Sequence, residues 1–292
     1  MRRLVTVTAL CVLVLSGCRR FGSLPSAEVL QRATAASAQL ESAQYEARVE
    51  ITSGKAPVAF DARAELHGIL GHGGQETAFS AAVNGSFSRA GLPQTAFTVQ
   101  ADVVSEPTDA YVLFHTLSFN PALSGLTGSQ GLLGSWLRLP RDTDAPPALS
   151  LTPDPLFLRA QASVVNVVED KGLERMNDKD AYHYIVSINP ERLLALMQST
   201  AESNGRAFDL ALARDDLAKY DATGELWIDA GTFLVRRLVW NVTSKQAAAD
   251  TTPFRVMFSA DLAMHNTAPS ITIPSDARLV PPTLLRSLLP SP

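Results

Sequence analysis

Residues that could do chemistry are few in this sequence, and their spacing keeps them apart. The five histidines, His67, His72, His115, His183 and His265, are scattered along the chain. His67 and His72 flank one turn with Asp61 and Glu65 upstream, which reads as a solvated turn rather than a metal site. No His-Glu-x-x-His pattern and no paired-cysteine motif supplies a zinc ligand set. Gly71-His72-Gly73-Gly74 lacks the third glycine of a dinucleotide loop, and no glycine-rich loop ends in Lys-Ser/Thr. A Gly-x-Ser-x-Gly elbow is absent as well. Nothing pairs a nucleophile or an acid with a partner, so the chain reads as a non-enzyme with no catalytic residue, no metal and no cofactor. One residue does stand where its chemistry is defined, and that is Cys18, at the end of Leu15-Ser16-Gly17-Cys18.

Arg2 and Arg3 precede an apolar run from Leu4 to Leu15, and small residues follow it. A positive start, a short apolar core and small residues before a cut site make a secretory signal. The run is too short for a spanning helix. Leu15-Ser16-Gly17-Cys18 resembles a bacterial lipobox. The expected organisation is therefore a lipoprotein signal peptide at 1–17, a lipidated Cys18 (palmitate among its acyl chains) and a tether at 18–25. An extracytoplasmic protein follows, lipid-anchored to the bacterial cell membrane within the cell envelope. The alternatives are an ordinary signal with an incidental cysteine or a retained short anchor.

Removing residues 1–17 takes two arginines from 25 basic residues, leaving 23 against 29 acidic ones, a net charge of −6. That balance argues against a nucleic-acid partner and gives no polybasic attraction to a membrane, so lipid must do the anchoring. Cys11 and Cys18 are the only cysteines, and Cys11 lies in the signal. The mature chain has no intramolecular disulfide and must fold by packing, which its length allows. The seven residues from Arg19 to Pro25 reach about 25 Å when extended, so the folded body sits close to the bilayer.

From Ser26 a helix is expected, with Ser26 as its cap and Leu30, Ala33, Ser37 and Leu40 at helical spacing. From residue 45 the period becomes two. Tyr45, Ala47, Val49 and Ile51 alternate with Glu46, Arg48, Glu50 and Thr52. The same alternation runs through 58–67, 79–87 and 97–103, with turn-rich stretches between. One face buried, one face wet and short connections describe an antiparallel meander. Further strands are expected at 111–119, 136–139, 163–170, 182–188, 224–229, 233–243 and 254–266. Asn189-Pro190-Glu191 is a helix start, another short helix begins near Asp154-Pro155, and Phe208 to Tyr220 reads as a third. The segment 120–135 reads as a glycine-rich loop with Leu123, Leu126, Leu132 and Leu133 exposed. Residues 141–152 read as a crossover loop. Residues 26–270 form a single domain, and 271–292 a proline-containing tail with little periodicity.

Ten or eleven strands in one sheet must curl or close. The fold class is α+β: a strongly curved antiparallel half-barrel wrapped around a few helices. The centre of its buried face is small (Ala62, Ala64, Ala81, Gly85, Ala101), and its margins are aromatic (Phe60, Phe79, Phe87, Phe97). Small residues at the middle of a wide sheet leave either an apolar cavity or a space that helices fill as ordinary core. Asn84-Gly85-Ser86 and Asn241-Val242-Thr243 match glycosylation sequons, which a bacterial lipobox makes irrelevant.

A family resemblance emerges from these residues. An amphipathic first helix leads to Tyr45. Tyr182-His183-Tyr184-Ile185-Val186, Leu226-Trp227-Ile228-Asp229 and Thr232-Phe233-Leu234-Val235-Arg236-Arg237 follow. Behind a lipobox, this succession resembles the LppX/LprG-type lipoproteins of mycobacteria and, more distantly, the LolA/LolB lipoprotein carriers. The resemblance covers most of residues 27–265. It implies a LolA-like half-barrel with an apolar cavity for acyl chains, a lipid or acylated glycolipid ligand, an envelope transport partner and no catalytic residues. The residues expected to line such a cavity are Phe60, Ala62, Phe79, Val83, Phe97, Val99, Phe258 and Leu262. The competing expectation is a sensor or assembly module of the envelope that binds a partner protein through the leucines of 120–135.

Overall fold

The computed structural model describes residues 24–55, 57–122, 132–140, 163–203, 207–245 and 252–280. In chain order the elements are α1 (Ser26–Ala38), β1 (Ala43–Lys55), β2 (Val58–Gly71), a 3-10 turn (His72–Gly74), β3 (Glu76–Ser88), β4 (Thr95–Ser105), β5 (Asp109–Asn120) and β6 (Leu137–Pro140). Then come β7 (Val165–Met176), β8 (Lys179–Ile188), α2 (Pro190–Ser203), α3 (Leu210–Leu217), β9 (Tyr220–Asp229), β10 (Val235–Ser244), β11 (Phe254–Ala263) and β12 (Arg278–Leu279). The lipobox, the helix expected near Asp154, the loop at 141–152 and the end of the chain beyond 280 lie outside the described residues.

All twelve strands form one curved, unclosed sheet in the order β12-β6-β5-β4-β3-β2-β1-β11-β10-β9-β8-β7. Two meanders are joined where β11 returns to lie beside β1, with Tyr45 opposite Leu262 and Val49 opposite Phe258. Every pairing is antiparallel except the last: β12 joins β6 in parallel. The sequence gives no periodic signal there, because a two-residue strand has none.

Period-two alternation has its expected consequence. On β1 the odd residues from Ala43 to Val49 are buried and the even ones exposed. The wet face carries cross-strand ion pairs, Arg48–Glu65 and Arg63–Glu50, both at 3.7 Å. The other face, here the inner face, receives α1. Val29, Ala33 and Leu40 enter one apolar cluster with Tyr45, Ala47, Tyr184, Leu226, Leu238 and Ala260.

The helix boundaries depart from the sequence reading in two places. Ser26 is the first helical residue rather than the cap; Pro25 holds that position, and its carbonyl accepts from the N–H groups of Glu28 and Val29. The helix expected over Phe208 to Tyr220 is confined to Leu210–Leu217. Asp209 caps it by accepting from the N–H of Leu212, and Tyr220 already belongs to β9. Asn189 does cap α2, its side-chain oxygen accepting from the N–H of Arg192.

Residues 264–280 run back across the sheet end. Asn266 accepts with its side-chain oxygen from the N–H of Glu41 at 2.8 Å, and its own N–H donates to the carbonyl of Ser42. Arg278 bonds Ser135. Among the described residues no helix is long and apolar enough to cross a membrane.

Candidate functional site on the inner face of the sheet

Cross-strand register sorts the residues of the inner face into rows. One row joins Ile51, Ala62, Gly85, Phe97 and Phe119; the next joins Val49, Ala64, Val83, Val99 and Leu117. Across β1 to β5 and β9 to β11 these inner positions carry a single charged residue, Lys55 at the tip of the first hairpin. The ionic residues of these strands lie on the opposite face or at the strand ends.

The face divides into a closed and an open part. Under α1 the inner residues are sealed: Tyr45, Ala260, Leu238, Leu226, Ile228 and Tyr184 are at most 2% exposed. On β3 to β5 the equivalent positions, Phe79, Val83, Phe87, Phe97, Val99, Val103, Val112, Phe114, Leu117 and Phe119, are only half-buried. Phe60, near the hairpin tip of β2, is 38% exposed. The open part continues along the hairpin ends of β1 and β11 through Ile51, Val256 and Phe258, also half-buried.

Phe97 is the hub of the open part. Its ring centroid stands 6.2 Å from that of Phe60 and 6.4 Å from those of Phe87 and Phe119. Gly85 is what lets the ring lie so low. A Cβ on Gly85 would stand 2.6 Å from the Phe97 ring and 2.4 Å from the carbonyl oxygen of Asp61. Tyr45 lies over Gly68 and Trp240 over Gly224 in the same manner. Each ring covers its neighbour's bare backbone, so the sheet keeps its packing while the face stays shallow.

The structure places Phe60, Ala62, Phe79, Val83, Phe97 and Val99 together on the inner face of β2 to β4, as their alternation requires. Ala62 is buried among them, at 7% exposure. Phe258 joins this surface from β11, across β1. Leu262 stands apart: at 3% exposure it belongs to the sealed cluster with α1. Sequence reading passes over Phe114, Leu117 and Phe119 of β5. A bulge between Gln100 and Ala101 leaves His115 unpaired and switches the parity, so Val112 and Phe114 share a face with Leu117 and Phe119. A strict period-two template cannot follow that switch.

A polar pocket of about 230 Å³ lies at the hairpin tips, lined by Thr52, Ser53, Gly54, Ala59, Phe60, Asp61, Ser86, Ser88 and Gln94. A wider open groove of about 650 Å³ follows α1 along Pro25, Ala27, Glu28, Gln31, Arg32 and Ala35. Arg32 pairs with Glu28 there and lies over the Phe233 ring, 5.0 Å from its centroid.

The scattered histidines find separate partners on the outer face or at the edges. His67 stands 3.9 Å from Glu46, and His72 2.8 Å from Glu76. His115 and Ser80 both bond the Asp102 carboxylate, which lies between them, so the imidazole does not face the hydroxyl. Burial alone would raise Asp102, but these hydrogen bonds and the charge of His115 hold it below the usual carboxylate value. His183 stacks on Trp227 with centroids 4.1 Å apart, and its ring nitrogens stand 3.0 Å from Glu174 and Glu225. Asp229, at the end of the Trp-Ile-Asp strand, accepts from the N–H groups of Gly231 and Thr232 and faces Arg236 at 3.6 Å. In that tripeptide Trp227 packs the outer face, Ile228 enters the sealed core and Asp229 shapes the turn. No group of three or more candidate metal ligands occurs among the described residues. Of the loop leucines, Leu133 is 37% exposed, Leu132 is half-buried, and Leu123 and Leu126 fall outside the described residues.

No family model and no curated protein matches this sequence. Among solved structures the chain is similar to LprF from Mycobacterium bovis, at 15% identity, covering 88% of this chain and 100% of that one, with a TM-score of 0.40. It is similar to the lipoprotein LppX from Mycobacterium tuberculosis at 14% identity, covering 85% and 98%, with a TM-score of 0.36. A LolA superfamily protein from Nitrosomonas europaea matches at 8% identity, covering 85% and 96%, with a TM-score of 0.25.

Proposed function

We propose that this chain is a non-enzymatic lipoprotein of the bacterial envelope, anchored through lipidated Cys18, that binds the acyl chains of a lipid or glycolipid and carries it within the envelope. The observation that carries the reading is the open part of the inner face: a surface of phenylalanine, valine and leucine with its one charge, Lys55, at the hairpin tip, half-buried beside a core that α1 seals. Monomeric soluble proteins rarely leave a contiguous apolar surface of this kind without a use for it. Acyl chains laid there gain roughly 25 cal/mol for each Å² of apolar surface removed from water. A headgroup would stay outside, where the hairpin-tip pocket offers hydroxyls, an amide and the Asp61 carboxylate. The mechanism is passive shielding, with no bond made or broken.

The test is obstruction. Ala81 and Ala101 face each other across β3 and β4 on the inner face. Tryptophan at either position should block acyl uptake while far-ultraviolet circular dichroism remains that of the wild type. A folded variant that loads lipid as the wild type does would overturn the reading and move weight to a partner-binding module.

A further inference from the structure

The sealed part of the inner face holds two hydroxyls that have no use in a purely apolar core. The phenolic oxygens of Tyr45 and Tyr184 are buried without a hydrogen-bond partner among the described residues. Tyr45 as a whole is 1% exposed. A buried hydroxyl left unpaired is costly, and phenylalanine would fill the same space without that cost. The two differ in where they stand. Tyr184 lies on β8, stacked on Tyr182 deep in the sealed part. Tyr45 reaches from β1 across Gly68 of β2 toward β3. Its hydroxyl and the Cβ of Phe79 each lie 2.6 Å from the point a Gly68 Cβ would occupy. The row continues through Phe79 and Val103, both half-buried. The Tyr45 hydroxyl thus sits at the border between the sealed and the open surface, with Phe79 beside it.

We infer that Tyr45 is a specificity-determining residue: its hydroxyl donates a hydrogen bond to the ester carbonyl of an acyl chain laid along β3 to β5, so that the site selects acyl esters over alkyl ethers of equal length. This rests on the acyl-binding reading above. The chemistry fits. The one charged inner position of the surrounding strands, Lys55, lies at the opposite end of β1 from Tyr45, so a neutral acceptor is the partner this part of the face can accommodate. Burial pushes the phenol up from its ordinary value of 10.0, so it remains a donor at every working pH. An ester would approach the hydroxyl past Phe79, which stands beside it and is itself half-buried.

The experiment uses the full chain carrying Cys18→Ser, which removes only the acylation site. It is incubated with vesicles of equimolar diester and diether phosphatidylcholine of the same chain length, separated from them, and extracted for mass spectrometry. The expected result is an ester-to-ether ratio of about five to ten on the protein, the worth of one neutral hydrogen bond. Tyr45→Phe should bring that ratio to about one without lowering the thermal midpoint, and Tyr184→Phe should leave it at the wild-type value. Equal loading of ester and ether by the wild type, or a ratio that survives Tyr45→Phe or falls equally in Tyr184→Phe, overturns the inference while the acyl-binding reading stands. Loading of neither lipid overturns that reading and the inference with it.

Discussion

Replacing Gly85 by alanine adds one methyl group at the hub of the open surface. The new Cβ would stand 2.4 Å from the Asp61 carbonyl oxygen and 2.6 and 2.8 Å from two atoms of the Phe97 ring. The carbonyl belongs to the β2 backbone and moves little, so the ring must lift. Over-packing of this kind costs about 1–3 kcal/mol. Lifting Phe97 also loosens its contacts with Phe60, Phe87 and Phe119, each worth about 0.5–1.5 kcal/mol when intact. Against this, alanine lowers the entropy of the unfolded chain, a gain of about 0.4–1 kcal/mol. The balance is a destabilisation of about 1–3 kcal/mol. Urea unfolding followed by circular dichroism reads it directly: with a slope of about 2–3 kcal/mol per molar, the midpoint should fall by about 0.3–1.5 M. An unchanged or raised midpoint would refute the reasoning, because it would mean that the entropy gain acts alone and that Phe97 does not depend on the bare backbone of Gly85.

Three further outcomes follow from the same structure. Burial alone would raise the Asp229 carboxyl, but the N–H groups of Thr232 and Gly231, the Thr232 hydroxyl and the Arg236 charge hold it below its ordinary 3.8. Its contribution is therefore complete above that value and lost as pH falls through the folded-state value. The gap in urea midpoint between wild type and Asp229→Ala should be full near about pH 6 and shrink below about pH 4; a gap independent of pH would contradict the assignment. Ala33 is wholly buried on the face of α1 that packs against the sheet, so Ala33→Asp should destabilise by more than about 3 kcal/mol and speed hydrogen exchange in β8 to β11, whereas wild-type protection there would show that α1 does not seal the core. Asn266→Ala removes acceptors from the N–H groups of Glu41 and Ser42; a loss of about 1–2 kcal/mol, with faster exchange at those two amides, is the expected signature.

Much of this architecture is legible in the sequence because a strand with one wet face writes itself as alternation. Tyr45 to Ile51 and Phe79 to Phe87 are such strands, and their register with their neighbours places seven of the eight named lining residues on one surface. Legibility fails where the period is broken or too short to see. The bulge at His115 hides Leu117 and Phe119 from a period-two template. β12 is two residues long and pairs with β6, 138 residues or more away in sequence, so no local signal announces it. Leu262 alternates as faithfully as Phe258, yet one is sealed and the other half-buried. That difference depends on where α1 lies across the sheet, and periodicity within a strand carries no information about it. The glycines beneath Phe97, Tyr45 and Trp240 were readable only as small residues; that a ring lies over each follows from the neighbouring strand.

The central claim is that the open surface on β3 to β5 holds acyl chains. Its most direct test is native mass spectrometry of residues 19–292 purified from a bacterial host, followed by organic extraction and identification of what is released. The account predicts added mass that extracts as lipid and that disappears in the Ala81→Trp variant. A bare polypeptide mass that takes up no added phospholipid would contradict it.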